Sequence, residues 1–139
     1  MENKTLDMKG KKQYMEAESI LTTIYSSNDK SLKKELYTKY LILLRKSAYL
    51  GFPEAQFDLG LQYGDSYIFG NNPNHKESKY IFWCQKACSN GVADACNNLA
   101  AVYEGKGLFN EATLTYKKAI ALGNKLAVKN LRTMRIKDK

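Results

Sequence analysis

A chain of 139 residues that is 44% hydrophobic is long enough to bury a core without metal or disulfide staples. No stretch approaches the roughly 18 consecutive apolar residues of a spanning segment, which excludes a membrane-crossing helix. The 22 Lys and Arg against 14 Asp and Glu give a net charge of +8, but unevenly: residues 1–50 carry 10 basic and 6 acidic side chains, 51–100 carry 3 and 5, and 101–139 carry 9 and 3. Both ends are therefore basic and the middle is slightly acidic, a distribution that suits solvated ends or an acidic partner.

Residues 1–12 are polar and lack the apolar core of a signal peptide, so the chain is expected in the cytoplasm. Residues 1–10 and 137–139 are expected to be flexible ends of a single domain spanning 11–136. From Lys11 to Tyr25, the residues Tyr14, Ala17, Leu21, Ile24 and Tyr25 keep the spacing of one helix stripe. Ser26-Ser27-Asn28-Asp29 ends that helix and caps the next, about Ser31 to Leu50, which places Leu32, Leu36, Tyr40, Leu43 and Leu44 on one face and stops at Gly51. Pro53 suits the first turn of a third helix running to Gly64, with Glu54 complementing its positive end. The stretch from Gly64 to Asn74 contains Gly70-Asn71-Asn72-Pro73 and reads as the longest loop. Four more helices follow: about His75 to Asn90, Ala93 to Glu104, Phe109 to Leu122 and Lys125 to Arg135, with Gly91, Gly105 and Gly123 as the intervening stops.

One phrase recurs through these helices: Ala-x3-Leu-x3-Tyr at Ala17/Leu21/Tyr25, Ala55/Leu59/Tyr63 and Ala95/Leu99/Tyr103, with a fourth copy, Ala127/Leu131, broken at Arg135. A second phrase, a Lys followed five residues later by Gly, recurs as Lys46 to Gly51, Lys86 to Gly91 and Lys118 to Gly123. The Ala copies lie 38, 40 and 32 residues apart, room each time for two helices and two turns. The expected fold is all-α: an antiparallel helix-pair solenoid of about three repeats plus a C-terminal capping helix, seven helices in all. Its Ala positions let backbones approach closely while Leu and Tyr fill the wider part of each interface.

These residues resemble Sel1-like repeats, relatives of the tetratricopeptide repeat, whose pattern is roughly A-x3-L-G-x2-Y followed by W-Y-x-K-A-A-x2-G. Ala55-x3-Leu59-Gly60-x2-Tyr63 and Trp83-Cys84-Gln85-Lys86-Ala87-Cys88-x2-Gly91 carry the resemblance best, while Ala100 and Thr115 depart from the usual Gly and aromatic. The resemblance implies a concave protein-binding face lined by the first helix of each pair. Carried onto this chain, the lining residues are Phe57 and Leu61; Asn97, Asn98 and Ala101; and Lys129, Asn130 and Thr133. Asn97, Asn98, Lys129 and Asn130 would offer convergent donors to a carboxylate or backbone of a bound segment, unless the Asn side chains simply solvate a helix face. Cys88 and Cys96 also resemble a pair that bridges adjacent helices in the cysteine-rich Sel1-like proteins of Helicobacter. A single pair in a chain with no visible leader favours reduced, buried thiols instead.

Other chemistry finds little support. Cys84, Cys88, Cys96 and His75 could in number make four metal ligands, but no CxxC pair exists and His75 lies more than two turns from Cys84, so neither metal nor cofactor is expected. Ser27-x2-Lys30 and Ser31-x2-Lys34 match a catalytic dyad spacing at turns where Ser is expected as a cap, and one His makes no triad. Lys9, Lys11, Lys12 and the cations from Lys125 onward, with ten Tyr, would suit nucleic acid, but the tyrosines mostly occupy packing positions. The expected function is a non-catalytic module that binds another protein through its concave face and basic ends. It would act as an adaptor, or alternatively as an immunity protein occluding a bacterial toxin; nucleic-acid binding is the further alternative.

Overall fold

The computed structural model describes residues 8–138. The expected flexible ends reach residues 1–7 and 139, which lie outside the described residues. Seven helices follow one another among the described residues: α1 Lys11–Ser26, α2 Lys30–Tyr49, α3 Pro53–Leu61, α4 Glu77–Ser89, α5 Ala93–Gly105, α6 Phe109–Ala121 and α7 Leu126–Asp138. Most boundaries fall within two residues of those expected from capping and periodicity. Packing divides the chain into two compact units, one ending at Leu59 and the other beginning at Gly60 within α3.

In the N-terminal unit, α1 and α2 form an antiparallel pair. Asp29 caps α2 as its sequence predicts, its carboxylate accepting from the backbone N–H groups of Ser31 and Leu32, both at 3.0 Å. Ala17, Ile24, Tyr40, Leu44 and Ala48 are buried between the helices, and full burial of a side chain such as Ile24 or Leu44 contributes about 2 kcal/mol. Gly10, at the end of the stretch expected to be flexible, is buried. Its carbonyl oxygen accepts a 2.6 Å hydrogen bond from Ser47 Oγ, which satisfies a fully buried hydroxyl. The Tyr14 ring packs on Phe52 with centroids 5.1 Å apart, fixing the start of α1 to the α2–α3 corner. Tyr25, expected at a packing position, is instead 69% exposed, while Ile24 beside it in the same turn is fully buried: the face that meets α2 runs through Ala17 and Ile24, and Tyr25 falls off it.

In the C-terminal unit, α4 lies against α5, α5 against α6, and α6 against α7, with α5 and α7 also in contact. At the start of this unit, a Cβ on Gly60 would sit 3.1 Å from Trp83 Cβ and 3.5 Å from the Tyr80 carbonyl oxygen, so Gly60 packs closely against α4 and a side chain there would crowd Trp83. The stretch read as an irregular loop instead holds a short antiparallel pair, β1 Ser66–Tyr67 and β2 Gly70–Asn71, in register Ser66 to Asn71 and Tyr67 to Gly70. Asn72 organises it. Its Nδ2 donates to the carbonyl oxygens of Gln62 at 2.7 Å and Gly64 at 2.8 Å, and its Oδ1 accepts from Asn74 N–H at 3.0 Å. These bonds satisfy carbonyl oxygens of the turn that follows α3, which ends at Leu61.

The repeat phrase explains the packing. Ala55, Ala95 and Ala127 are fully buried, and Leu59, Leu99 and Leu131 are no more than 6% exposed. Tyr116 is also buried, its hydroxyl donating to Glu104 Oε1 at 2.8 Å and so locking α6 to α5. Asn124 joins α5 to the capping helix: its Nδ2 donates to Asp94 at 2.8 Å while its Oδ1 caps α7 by accepting from Ala127 N–H at 2.8 Å.

Candidate functional site

The first helix of the last pair, α5, and the capping helix α7 lie side by side. Helical spacing places Asp94, Asn97, Asn98 and Ala101 on one face of α5, and Lys129, Asn130 and Thr133 on the neighbouring face of α7. A hydrogen bond of 3.0 Å from Asn130 Nδ2 to Asn97 Oδ1 knits the two faces together. Asn97 is 7% exposed, so it is a structural clasp between helices, and the expectation of Asn97 as a free donor in the groove is corrected. Asn98 is half-buried and hydrogen-bonded to the Tyr80 side chain. Around the clasp, Ala101, Lys129 and Thr133 are exposed, and Asn130 is half-buried. Thr133 Oγ1 donates to its own helix at the Lys129 carbonyl oxygen, 2.9 Å away. Six of the eight candidate residues thus share one face of the C-terminal unit. Leu61 lies exposed at the end of α3, and Phe57 is half-buried in the N-terminal unit.

The structure joins Cys88 to Cys96 as a disulfide, with Cα atoms 4.7 Å apart across the α4–α5 turn, where the absence of a visible leader favoured reduced thiols. Cys84 is the buried free thiol, and burial pushes its pKa up to about 11, which a hydrogen bond with Tyr80 only partly offsets. A thiol so protonated is a weak nucleophile and a poor metal ligand.

Titratable groups elsewhere are committed to structure. A cavity of about 250 Å³ is lined by Gly64, Asp65, His75, Glu77, Tyr80 and Val102. Within it His75 Nδ1 lies 3.1 Å from the Tyr63 carbonyl oxygen, which fits an Nδ1–H tautomer. Glu77 accepts from Lys106 Nζ at 2.7 Å, and that ammonium holds its carboxyl below the usual range. No cluster of three or more His, Cys, Asp or Glu with metal-binding geometry occurs among the described residues. None of their helices is long and apolar enough to cross a membrane.

Sequence reasoning missed one carboxyl group. Asp58 on α3 accepts a 2.9 Å hydrogen bond from the Tyr14 hydroxyl and faces Glu18 and Glu54, with Tyr40 buried beside it. Burial and the neighbouring carboxylates push its pKa up to about 6, against the lowering effect of the Tyr14 hydrogen bond. The same burial and the acids raise the Tyr14 and Tyr40 phenols, which stay neutral. The pairs Tyr14/Glu18 and Glu54/Asp58, each at i, i+4, were the visible signal, but which helix faces meet is set by tertiary packing.

No family model matches the chain. Among curated proteins it is similar to DAP3-binding cell death enhancer 1, with 35% identity to the protein of Rattus norvegicus and 34% to that of Mus musculus, over 97 residues in each case. Those matches cover 66% of this chain and 18% of each relative, so the chain spans under a fifth of their length. Among solved structures, a Sel1 repeat protein from Oxalobacter formigenes superposes with a TM-score of 0.64 at 20% identity, over 86% of this chain and 46% of that one. The protein c5321, a protective antigen of uropathogenic Escherichia coli displaying an SLR fold, superposes with a TM-score of 0.71 at 25% identity, over 97% of this chain and 27% of that one. The chain thus has the fold of these Sel1-like repeat structures.

Proposed function

We propose that the chain is a non-catalytic module that binds another protein through the α5–α7 face. The observation that carries this reading is the Asn97–Asn130 clasp, which holds two helix faces in register while Ala101, Lys129 and Thr133 beside it stay exposed. A small residue flanked by a cation and amides suits an extended segment: its backbone can lie over Ala101, and a carboxylate can reach the Lys129 ammonium. The fold, and a relative whose name describes binding to another protein, support the same reading. The side-chain commitments of His75, Glu77 and Cys84 leave no assembled nucleophile and base among the described residues. The basic ends favour a partner with acidic surface.

Affinity capture from native lysate tests this, run with and without nuclease at one stated salt concentration. The expected result is a stoichiometric protein that is retained after nuclease treatment. Captured material lost on nuclease treatment would transfer the function to nucleic-acid binding.

A further inference from the structure

The last repeat reproduces the one before it at an offset of 32 residues: Lys86-Ala87-Cys88 corresponds to Lys118-Ala119-Ile120, and Ala95/Leu99 to Ala127/Leu131. On this correspondence Cys96 becomes Val128, Ala100 becomes Arg132, Tyr103 becomes Arg135 and Glu104 becomes Ile136. The burial of equivalent positions differs sharply. Cys88, Cys96 and Ala100 are 4%, 0% and 0% exposed, whereas Val128 is 40% and Ile136 70% exposed, and Arg132 is also exposed. In the earlier repeat α6 covers α5, presenting Ala112, Tyr116 and Ala119 and anchoring Tyr116 on Glu104. In the last repeat the matching surface is an open groove of about 320 Å³ lined by Ile120, Val128, Leu131, Arg132, Arg135 and Ile136.

The shape left open is that of a helix, since a helix fills it one repeat earlier. The charge is equally specific. Arg132 and Arg135 edge the apolar floor, and residues 101–139 carry 9 basic side chains against 3 acidic. A second copy docking by two-fold symmetry would bring the same arginines against each other, so self-association is disfavoured. We propose that the α6–α7 groove binds an acidic amphipathic helix of a partner protein, seated over α7 as α6 is seated over α5. This rests on the reading of the chain as a protein-binding module and adds to it a second surface and the chemistry of its ligand.

The test is an amide NMR titration of the full chain at physiological ionic strength. The probe is a side-chain-stapled peptide of about four helical turns with Leu and Ala on one face and Glu elsewhere. A matched peptide with Lys for Glu is the control. Saturable shifts are expected at Ile120, Val128, Arg132 and Ile136 with the Glu peptide alone. Val128→Glu with Ile136→Glu, both at exposed positions, should weaken binding about tenfold or more. Arg132→Glu with Arg135→Glu should move the preference to the Lys peptide. The proposal is overturned by equal binding of both peptides, by no saturable shift, or by shifts confined to Asn98, Asn130 and Thr133; that last pattern would leave the α5–α7 binding face standing. It is overturned too if these groove variants abolish a concentration-dependent dimer, or if they abolish binding to anionic vesicles tighter than to the peptide. Failure of lysate capture with the peptide result intact would separate loss of the general reading from loss of the groove.

Discussion

Gly10→Ala is expected to destabilise the N-terminal unit by about 3 kcal/mol, lowering its melting temperature by roughly 12–24 °C. Two effects combine. Gly10 has φ +90°, where an L side chain costs about 1–2 kcal/mol. A Cβ there would also sit 2.6 Å from the Ser47 carbonyl oxygen and 3.0 Å from Phe52 Cβ. The first neighbour is helical backbone and cannot yield without disturbing α2. Any displacement that relieved the overlap would stretch the 2.6 Å hydrogen bond from Ser47 Oγ to the Gly10 carbonyl and leave a buried hydroxyl unpaired, at a further cost of about 1 kcal/mol. Gly51→Ala is the internal comparison: its φ is +101° but no atom lies within 4 Å of the added carbon, so about 1 kcal/mol of strain is expected without the overlap. Equal melting temperatures for the two variants would mean that the Gly10 contact with α2 does not hold the helix pair together.

Asp58→Asn is expected to stabilise the chain at pH 7 and to flatten its stability between about pH 4 and pH 6.5. The folded state raises the Asp58 carboxyl from its ordinary 3.8 to about 6, so it holds the proton more tightly than the unfolded chain does. Below the unfolded value both states are protonated, and the neutral acid keeps its full share of stability. As pH rises through the folded value that share is lost, because the ionised carboxylate is buried near Glu18 and Glu54. The loss is at most about 3 kcal/mol. Partial contact with solvent reduces it to roughly 1–2 kcal/mol. Asn cannot ionise, and its carbonyl oxygen can still accept from the Tyr14 hydroxyl. Urea unfolding of both proteins across this pH range measures the difference directly. A variant less stable at pH 7, with an unchanged slope, would show that the buried carboxylate is stabilised by its surroundings.

The helices were legible because their signals are local: Asp29 as a cap, Pro53 at a first turn, and the Ala/Leu phrase at 3.6-residue period. Burial of Ala55, Ala95 and Ala127 follows from repetition alone, since each copy must cover its neighbour. What the chain did not disclose depends on contacts across long separations. Nothing near Asn72 announces that its amide would close the end of α3, and the spacing of Asn97 and Asn130 does not reveal that they bond to each other. The same gap separates a face from a site. Periodicity placed Asn97 on the correct side of α5, but only packing shows it turned into the α5–α7 seam, where Asn97→Ala would lower stability together with any binding. Ala101 and Lys129, exposed beside the seam, can be altered without touching it.

That distinction fixes the decisive measurement: the affinity of the captured partner for the chain carrying Ala101→Glu and Lys129→Ala, with the melting temperature recorded on the same samples. Added bulk and negative charge over the clasp, together with loss of the ammonium, should weaken binding tenfold or more, a change of about 1.4 kcal/mol or greater, at an unchanged melting temperature. Full affinity in that variant would contradict the assignment of partner binding to the α5–α7 face.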